Sequence, residues 1–183
     1  MRAAPGVYTA KISMGAWSET QTFRLNPDPR YQPPMTDAEG QAQLKMAQEV
    51  GGWTKQLYDK LAQIRDAKQQ AAQIAEKTPA LAAAAKTFTD SAVKVEGDMT
   101  QLQGEAGQDA LNFPGRLDNQ LVVLYGNIVG SERKLPSAVT ERYADLKPQY
   151  DDLMKRVTGV LTTDVATFNA AATRAGATGI VIK

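Results

Sequence analysis

Residues 78–102 read TPALAAAAKTFTDSAVKVEGDMTQL and carry the most regular apolar pattern in the chain. The apolar positions alternate in steps of four and three: Leu81, Ala85, Phe88, Ala92, Val95, Met99 and Leu102. Residues spaced in this way share one face of an α-helix, so the pattern predicts a helix with one buried stripe. Thr78 and Pro79 suit the N-cap and the first helical position.

Another long helix is predicted before this one. Thr36 and Glu39 match a capping box, which opens the helix at Thr36. Its apolar stripe keeps the same spacing: Val50, Trp53, Leu57, Leu61, Ile64, Ala67 or Lys68, Ala71 and Ile74. The pair Gly51-Gly52 costs about 1 kcal/mol per residue relative to Ala, which predicts a kink or the close approach of another backbone.

Two more helices are predicted after residue 114. The third carries Leu117, Leu121, Leu124 and Ile128 and stops near Gly130. The fourth opens at Pro136 and Ser137, ends near Gly176, and carries Val139, Tyr143, Leu146, Tyr150, Leu153, Val157, Val160, Asp164 or Val165, and Phe168. Pro148 lies inside this pattern and predicts a kink or a break. Short connectors between four amphipathic helices predict a mainly α fold, a four-helix up-down bundle.

The first residues indicate β structure instead. Tyr8, Ala10, Ile12 and Met14 alternate with polar residues and residues 20–25 form a return strand, which predicts a β-hairpin with its turn at residues 15–18. A lone hairpin is marginal in water, so it needs further strands. The apolar tail at residues 179–182 is predicted to be a short C-terminal strand that could add to the hairpin. Otherwise the missing strands lie upstream, and the hairpin is the end of a truncated β-sandwich, the interpretation that we favour.

Four prolines between Asn26 and Pro34 predict an extended, stiff linker. The predicted organisation is therefore a β-hairpin at residues 1–26, a Pro-rich linker at 27–35 and a helical bundle at 36–183.

Composition narrows the function classes. The net charge of +1 lacks the basic excess that is typical of nucleic-acid binding. No apolar run approaches the roughly 20 residues that span a bilayer. The chain has no Cys and no His, which removes thiolate nucleophiles, imidazole catalysis and the commonest zinc ligands. We expect no nucleic-acid partner, no transmembrane segment, no metal and no cofactor.

The segment Gly107–Leu121 is dense in residues that fix local geometry. Pro114 suits the first turn of a helix, and Asn112 can hydrogen-bond nearby backbone as a cap or Asx-turn. One interpretation is a structured turn between helices. The other is a recognition surface formed by Asp109, Asn112, Phe113, Pro114, Arg116 and Asn119.

The carboxylates form no recognisable catalytic set, and no catalytic residue is assigned. Asp109 and Asp164 remain a conceivable pair for glycoside hydrolysis, which needs two carboxyl groups about 5 to 9 Å apart. Asp164 lies beside the apolar stripe of the fourth helix, where an ion pair is the commoner role. Arg116 is its expected partner.

Two parts of the chain together resemble a known family. The first comprises APGVYT at residues 4–9, QTFRL at 21–25 and DPR at 28–30. The second comprises DALNFPGRLDNQL at residues 109–121 and DVATFN at 164–169, followed by a short apolar tail. In this order they resemble the C-terminal part of large bacterial exported proteins with sortilin-like, Asp-box (BNR) repeat propellers, which are often labelled glycosyl hydrolases.

The resemblance implies export to the periplasm or outside, and an upstream propeller of the same polypeptide that carries any protein or glycan ligand. It implies no catalysis here, since the chain contains no Asp-box and no catalytic residue of the family maps onto it. Three hypotheses follow. The first is a non-catalytic structural or interaction module, the second a fragment of a carbohydrate hydrolase, and the third a free-standing helical adaptor. The adaptor would use Val122, Val123 and Tyr125 as apolar residues left over after the core is filled.

Overall fold

A computed structural model describes residues 3–103 and 112–183. The chain is mainly helical and begins with an antiparallel hairpin of β1 (Gly6–Met14) and β2 (Trp17–Leu25). The helices are α1 (Asp37–Lys77), α2 (Ala82–Met99), α3 (Leu117–Val129), α4 (Ser137–Gly159) and α5 (Val165–Arg174). A π-helical turn, Val160–Asp164, joins α4 to α5 into one continuous leg. The predicted fold class, mainly α with four helices and an N-terminal hairpin, is confirmed.

The predicted apolar stripes form the core. In α2 and the turn before it, the stripe from Leu81 to Met99 is buried at every predicted position, whereas Leu102 lies beyond the end of the helix and is exposed. All four stripe residues of α3 are buried as well. The spacing of apolar residues was therefore sufficient to identify the inward faces of α2 and α3, whereas the predicted stripes of α1 and α4 include half-buried residues: Trp53, Ile74, Val139 and Tyr143.

The helix starts agree in part with the prediction. The capping box of α1 is confirmed, because the backbone N–H of Thr36 donates to Glu39 at 3.0 Å and that of Glu39 donates to the Thr36 hydroxyl at 3.2 Å. Thr78 precedes a 3₁₀ turn, Pro79–Leu81, and makes no side-chain cap. Its carbonyl accepts the Leu81 N–H at 2.9 Å instead.

The helix irregularities predicted at Gly51-Gly52 and at Pro148 are not found in the form that was predicted. The α1 helix runs unbroken through Gly51 and Gly52. A Cβ on Gly51 would stand 3.4 Å from the ring of Tyr125, so an aromatic ring approaches there rather than a backbone. The last leg does not break at Pro148, which lies within α4; its irregular turn is Val160–Asp164.

The predicted C-terminal strand is wrong. Residues 177–183 have no regular secondary structure, and the one sheet in the described residues has two strands. The tail is extended, but its backbone is bonded by side-chain amides rather than by a neighbouring strand.

The chain divides into two compact units. The first comprises Met1–Gly52 and Val123–Tyr143. Within it, the Gln43 amide on α1 donates to the carbonyls of Ile128 and Ser131 near the end of α3. Gly51, later on α1, faces Tyr125, earlier on α3, so α3 runs antiparallel to α1 here. The predicted boundaries at residues 26 and 35 remain predictions.

The second unit comprises Trp53–Val122 and Ala144–Lys183. The tight connection at Lys77–Thr78 makes α2 antiparallel to α1. The α4–α5 leg is antiparallel to α2, because Phe88 lies against Phe168 with ring centroids 6.2 Å apart, while an ion pair joins Asp98 to Arg156. In this unit α1 and the last leg therefore run in the same direction.

Candidate functional site

The segment predicted as a recognition surface lies before and within the first turn of α3. Asn112, Pro114, Arg116 and Asn119 are exposed and Phe113 is half-buried. Asp109 lies outside the described residues. Asn112 makes no hydrogen bond to any other residue in the described part of the chain, so the expected cap or Asx-turn is not found there.

Local contacts fix the start of α3. A Cβ on Gly115 would stand 2.8 Å from the Cβ of Asn119, so only glycine leaves room for this side chain. The Gln101 amide, just after α2, donates to the Pro114 carbonyl at 3.0 Å. These contacts agree with the interpretation of a structured interhelical turn.

A polar cleft of about 490 Å³ lies beside this turn. Arg156 on α4 donates to Asp98 on α2 at 2.7 Å and to Asp152 at 3.0 Å. The hydrogen bond from Arg156 to Asp98 contributes most to raising the pKa of Arg156, so the guanidinium stays charged. Both carboxylates pair with this cation, and the pair with Asp98 makes the cluster a cross-link between α2 and α4.

Arg116 lines the same cleft but does not pair with Asp164, and that prediction is wrong. Asp164 is in the π-helical turn and accepts a hydrogen bond of 2.6 Å from the Ser91 hydroxyl on α2. A carboxylate is too weak a base to activate a serine without an imidazole between them, and the chain has no His. The other carboxylate of the conceivable hydrolase pair, Asp109, is outside the described residues.

An aromatic pair lies where α1 meets α4. Trp53, expected in the core, is half-buried and stacks on Tyr150 with ring centroids 5.2 Å apart. The Tyr150 hydroxyl donates to Gln56 at 2.6 Å, and burial raises the pKa of Tyr150. The Tyr150 hydroxyl is bonded inside the chain, so the pair contributes to the packing of α1 against α4.

The hairpin presents an exposed surface with several large apolar side chains. The pairing of Tyr8 with Phe23 and of Met14 with Trp17 puts the predicted apolar alternation on one face, with Ile12 and Leu25. Two polar residues lie on the same face: Glu19 opposite Ile12, and Gln21 opposite Ala10. The polar face carries Thr9 opposite Thr22 and Ser13 opposite Ser18. The hairpin is therefore amphipathic, as half-buried strands are.

The apolar face is uncovered in the described chain. Every residue of β2 is exposed, and the exposed fraction reaches 66% for Ile12, 76% for Met14 and 50% for Trp17. Tyr8 and Phe23 stack on each other with ring centroids 5.9 Å apart. No described helix or strand packs against this face, and contiguous exposed apolar patches are uncommon on monomeric proteins.

The turn of the hairpin explains its regular register. Gly15 has φ = +58° and no other residue type has positive φ among the described residues, so Gly15-Ala16 forms a two-residue type II′ turn. The backbone twist of this turn matches that of the strands that it joins. The resulting register pairs nine residues of β1 with nine of β2. The hairpin is thus a regular two-stranded element, and its apolar residues are exposed.

Apolar residues are exposed on α3 as well. The exposed fraction is 47% for Val122 and 55% for Val123, as the adaptor hypothesis expects. Tyr125 is half-buried with its ring against Gly51, so it is not a leftover surface residue.

Sequence reasoning missed the residues with the most specific contacts. Asn169 and Gln70 bind the backbone of the C-terminal tail, and Arg65 and Lys68 bind the buried Glu96. Nothing in the sequence distinguishes these side chains from the other amides and cations on the helix surfaces.

In the described ranges, no three His, Cys, Asp or Glu side chains are grouped so that they could hold a metal ion. None of the described helices combines the length and apolar character needed to cross a membrane. Comparison with protein-family models, curated proteins and solved structures finds no match to this chain.

Proposed function

We propose that this chain is the non-catalytic C-terminal module of an exported Asp-box repeat propeller protein, acting through packing and partner binding. The observation that carries the proposal is the uncovered apolar face of the hairpin. In this proposal β1 and β2 are the last strands of a β-sandwich, and the facing sheet belongs to the preceding part of the same polypeptide.

The energetics of the hairpin support a missing partner. Burying a large apolar side chain contributes about 1.5 to 3 kcal/mol, and the face carries several that are now exposed to water. An isolated two-stranded ribbon is marginally stable, whereas two packed sheets bury the inner face of each. A sandwich partner therefore fits the alternation of this hairpin.

The sequence resemblance indicates where the facing sheet lies, in a small β-sandwich that follows the propeller of the same polypeptide. It assigns an upstream propeller to the same polypeptide, a periplasmic or secreted location, and any protein or glycan ligand to the propeller. The charged clusters of the helical part agree with a structural role, because Arg156 is neutralised by Asp98 and Asp152 and Glu96 by Arg65 and Lys68.

The test compares the isolated chain with the longer polypeptide read upstream at its locus. In each polypeptide, the difference in emission between the unmodified form and its Trp17→Phe variant reports Trp17 at the tip of the hairpin, because the signals of all other tryptophans cancel. We expect a blue-shifted emission, weaker quenching by acrylamide and slower amide exchange in β1 and β2 in the longer polypeptide, since the apolar face is then covered.

A matched pair of variants separates the two faces. Ile12→Lys puts a charge on the apolar face and should reverse the blue shift, whereas Thr20→Lys, on the polar face, should leave it unchanged. If Trp17 is equally exposed in both polypeptides, or if the reading frame holds no propeller, the proposal is wrong.

A helical adaptor is the second candidate, favoured by the exposure of Val122 and Val123. In that case Val123→Ser, and not Ile12→Lys, should weaken the capture of a partner protein. The hydrolase alternative has no support from Asp164, whose carboxylate is engaged by Ser91.

A further inference from the structure

The chain reverses direction after α5. Gly176 has φ = +70°, its N–H donates to the Thr173 carbonyl at 3.1 Å, and the Ala177 N–H donates to the Ala172 carbonyl at 2.9 Å. This pair of bonds is the Schellman motif, which ends a helix in a left-handed glycine. The following residues, 177–183, which we call the tail, then extend along α5 and α1.

Two side-chain amides bind the tail as a neighbouring strand would. Asn169 on α5 accepts the Ile180 N–H at 2.6 Å and donates to the Ile180 carbonyl at 2.9 Å. Gln70 on α1 accepts the Val181 N–H at 2.8 Å and donates to the Val181 carbonyl at 2.9 Å. Each amide thus exchanges both hydrogen bonds with one residue, as paired residues do in an antiparallel sheet.

The direction of the tail is fixed by a third amide. Gln63, earlier on α1 than Gln70, donates to the Lys183 carbonyl at 2.6 Å. The tail therefore runs antiparallel to α1. All these contacts are made to backbone atoms and would be available to any extended peptide in the same place.

The side chains of the tail add a sequence requirement. Ile180 is buried, with an exposed fraction of 3%, whereas Val181 is 61% exposed. A Cβ on Gly179 would stand 2.5 Å from Oδ1 of Asn169, so a larger residue at this position would displace the Asn169 amide from Ile180. The face of α1 and α5 that holds the tail therefore favours glycine at position 179 and an apolar residue at position 180, and it accepts any residue at position 181.

The start of the tail is less tightly held than its middle. An open cleft of about 320 Å³ lies between residues 177–179 and the end of α1, lined there by Ile74 and Lys77. A segment that is joined by a tight turn, bonded through side-chain amides and flanked by open space can detach locally, at the cost of exposing Ile180 and the apolar residues that it covers.

We propose that the face formed by α1 and α5 is a peptide-binding site and that the tail is its detachable ligand. Backbone hydrogen bonds supply affinity and the buried Ile180 supplies specificity, as in recognition by strand addition. The short connection to α5 gives the tail an effective concentration of about millimolar, so the site is filled by its own chain until the tail is released.

The test uses the full chain and a labelled heptapeptide of residues 177–183, ATGIVIK, followed by fluorescence anisotropy. Gly179→Ala in the chain displaces its own tail, because the new Cβ collides with Asn169. We expect the peptide to bind this variant at least tenfold more tightly than the unmodified chain. A peptide that carries Gly179→Ala should bind at least tenfold more weakly than the unmodified peptide.

Matched variants test whether the peptide binds through the Gln70 amide. Adding Gln70→Ala to the Gly179→Ala chain removes two bonds to Val181 and should weaken peptide binding at least fivefold. Gln69→Ala, at the exposed neighbouring position of α1, should change it less than twofold.

Two results would overturn the proposal. One is failure of the peptide to bind the Gly179→Ala chain while circular dichroism shows unchanged helix content. The other is measured on the unmodified chain, so it does not depend on any variant folding. If the amides of Ile180 and Val181 exchange as slowly as that of Ala172 in α5, the tail is a fixed part of the fold; faster exchange of the tail amides supports a detachable ligand.

Discussion

Nε of Arg65 on α1 donates a hydrogen bond of 2.7 Å to Oε1 of Glu96 on α2. Nζ of Lys68, one turn further along α1, contacts the other carboxylate oxygen at 2.5 Å. Among the described residues, Glu96 is the charged side chain that is buried, with an exposed fraction of 3%. Burying a carboxylate is costly unless it is paired and hydrogen-bonded, and two cations meet that requirement here.

Glu96→Gln should therefore lower the free energy of unfolding by about 1 to 3 kcal/mol, because hydrogen bonds to a charged group are replaced by weaker ones. Urea unfolding followed by circular dichroism measures the change. The control is Glu76→Gln at an exposed position of α1, where a change within about 0.5 kcal/mol is expected. Equal effects of the two substitutions would contradict a stabilising role for the cluster.

The same carboxylate predicts a dependence on pH. Burial by itself raises the pKa of Glu96, but hydrogen bonds and charges from Lys68 and Arg65 outweigh it and hold that pKa below the ordinary value of 4.5. The unfolded chain therefore takes up this proton at a higher pH than the folded chain. The contribution of Glu96 is complete above pH 4.5 and is lost as the pH falls toward the pKa of the folded state.

The measurement for this prediction is the difference in unfolding free energy between the unmodified chain and Glu96→Gln at a series of pH values. The difference should be constant from pH 7 to about pH 5.5 and shrink below the ordinary pKa of a glutamate. A difference that does not change down to pH 3 would show that the pKa of Glu96 is not lowered by folding.

Phe88→Ala tests the core of the second unit. The Phe88 side chain is buried on α2 and its ring lies against Phe168 on α5. Its removal should cost about 3 to 5 kcal/mol in unfolding free energy, since it leaves a cavity between the two helices. Val93→Ala, on the exposed side of α2, should stay within about 0.5 kcal/mol. A loss below 1 kcal/mol for Phe88→Ala would contradict the burial of this face.

Substitutions of Gly115, which precedes α3, and of Gly126, within α3, should change the stability in opposite directions. A Cβ on Gly115 would collide with Asn119, so Gly115→Ala should destabilise by about 1 to 3 kcal/mol. A Cβ on Gly126 meets nothing within 4 Å, so Gly126→Ala should stabilise by about 0.5 to 1 kcal/mol through helix propensity. Thermal unfolding of the two variants checks both signs, and a stabilising Gly115→Ala would exclude the close packing of Asn119.

The regular parts of the fold were predictable because their signals are local. Steps of three and four identified the buried face of α2, the Thr36–Glu39 pair identified the start of α1, and alternation identified the faces of the hairpin. What periodicity cannot give is the register between distant helices. This is why Asp164 was assigned to Arg116, whereas it meets Ser91 on α2.

The contacts of the tail were also not predictable from local sequence signals. The apolar run at residues 180–182 predicted a strand but did not show which residues face inward; the structure buries Ile180 and exposes Val181. The partners of the tail are amides 11 and 111 residues away in sequence, and a surface Gln or Asn carries no sign of such a role. Of the predicted recognition surface, the structured turn around Gly115 agrees with the packing of Asn119, while the buried partner expected for Asn112 is not found in the described ranges.

The order of the side-chain amide bonds along the tail has a mechanical consequence. Because the tail runs antiparallel to α1, a force applied to Lys183 reaches the bond from Gln63 first, then the pair at Gln70 and then the pair at Asn169. When the force acts across the tail, the bonds are strained one after another, as in the opening of a zipper; a force along the tail loads them together. A fusion partner attached at the C-terminus and pulled across the tail would therefore peel the tail at low force, whereas one attached before Gly6 would pull on the hairpin and leave the tail in place.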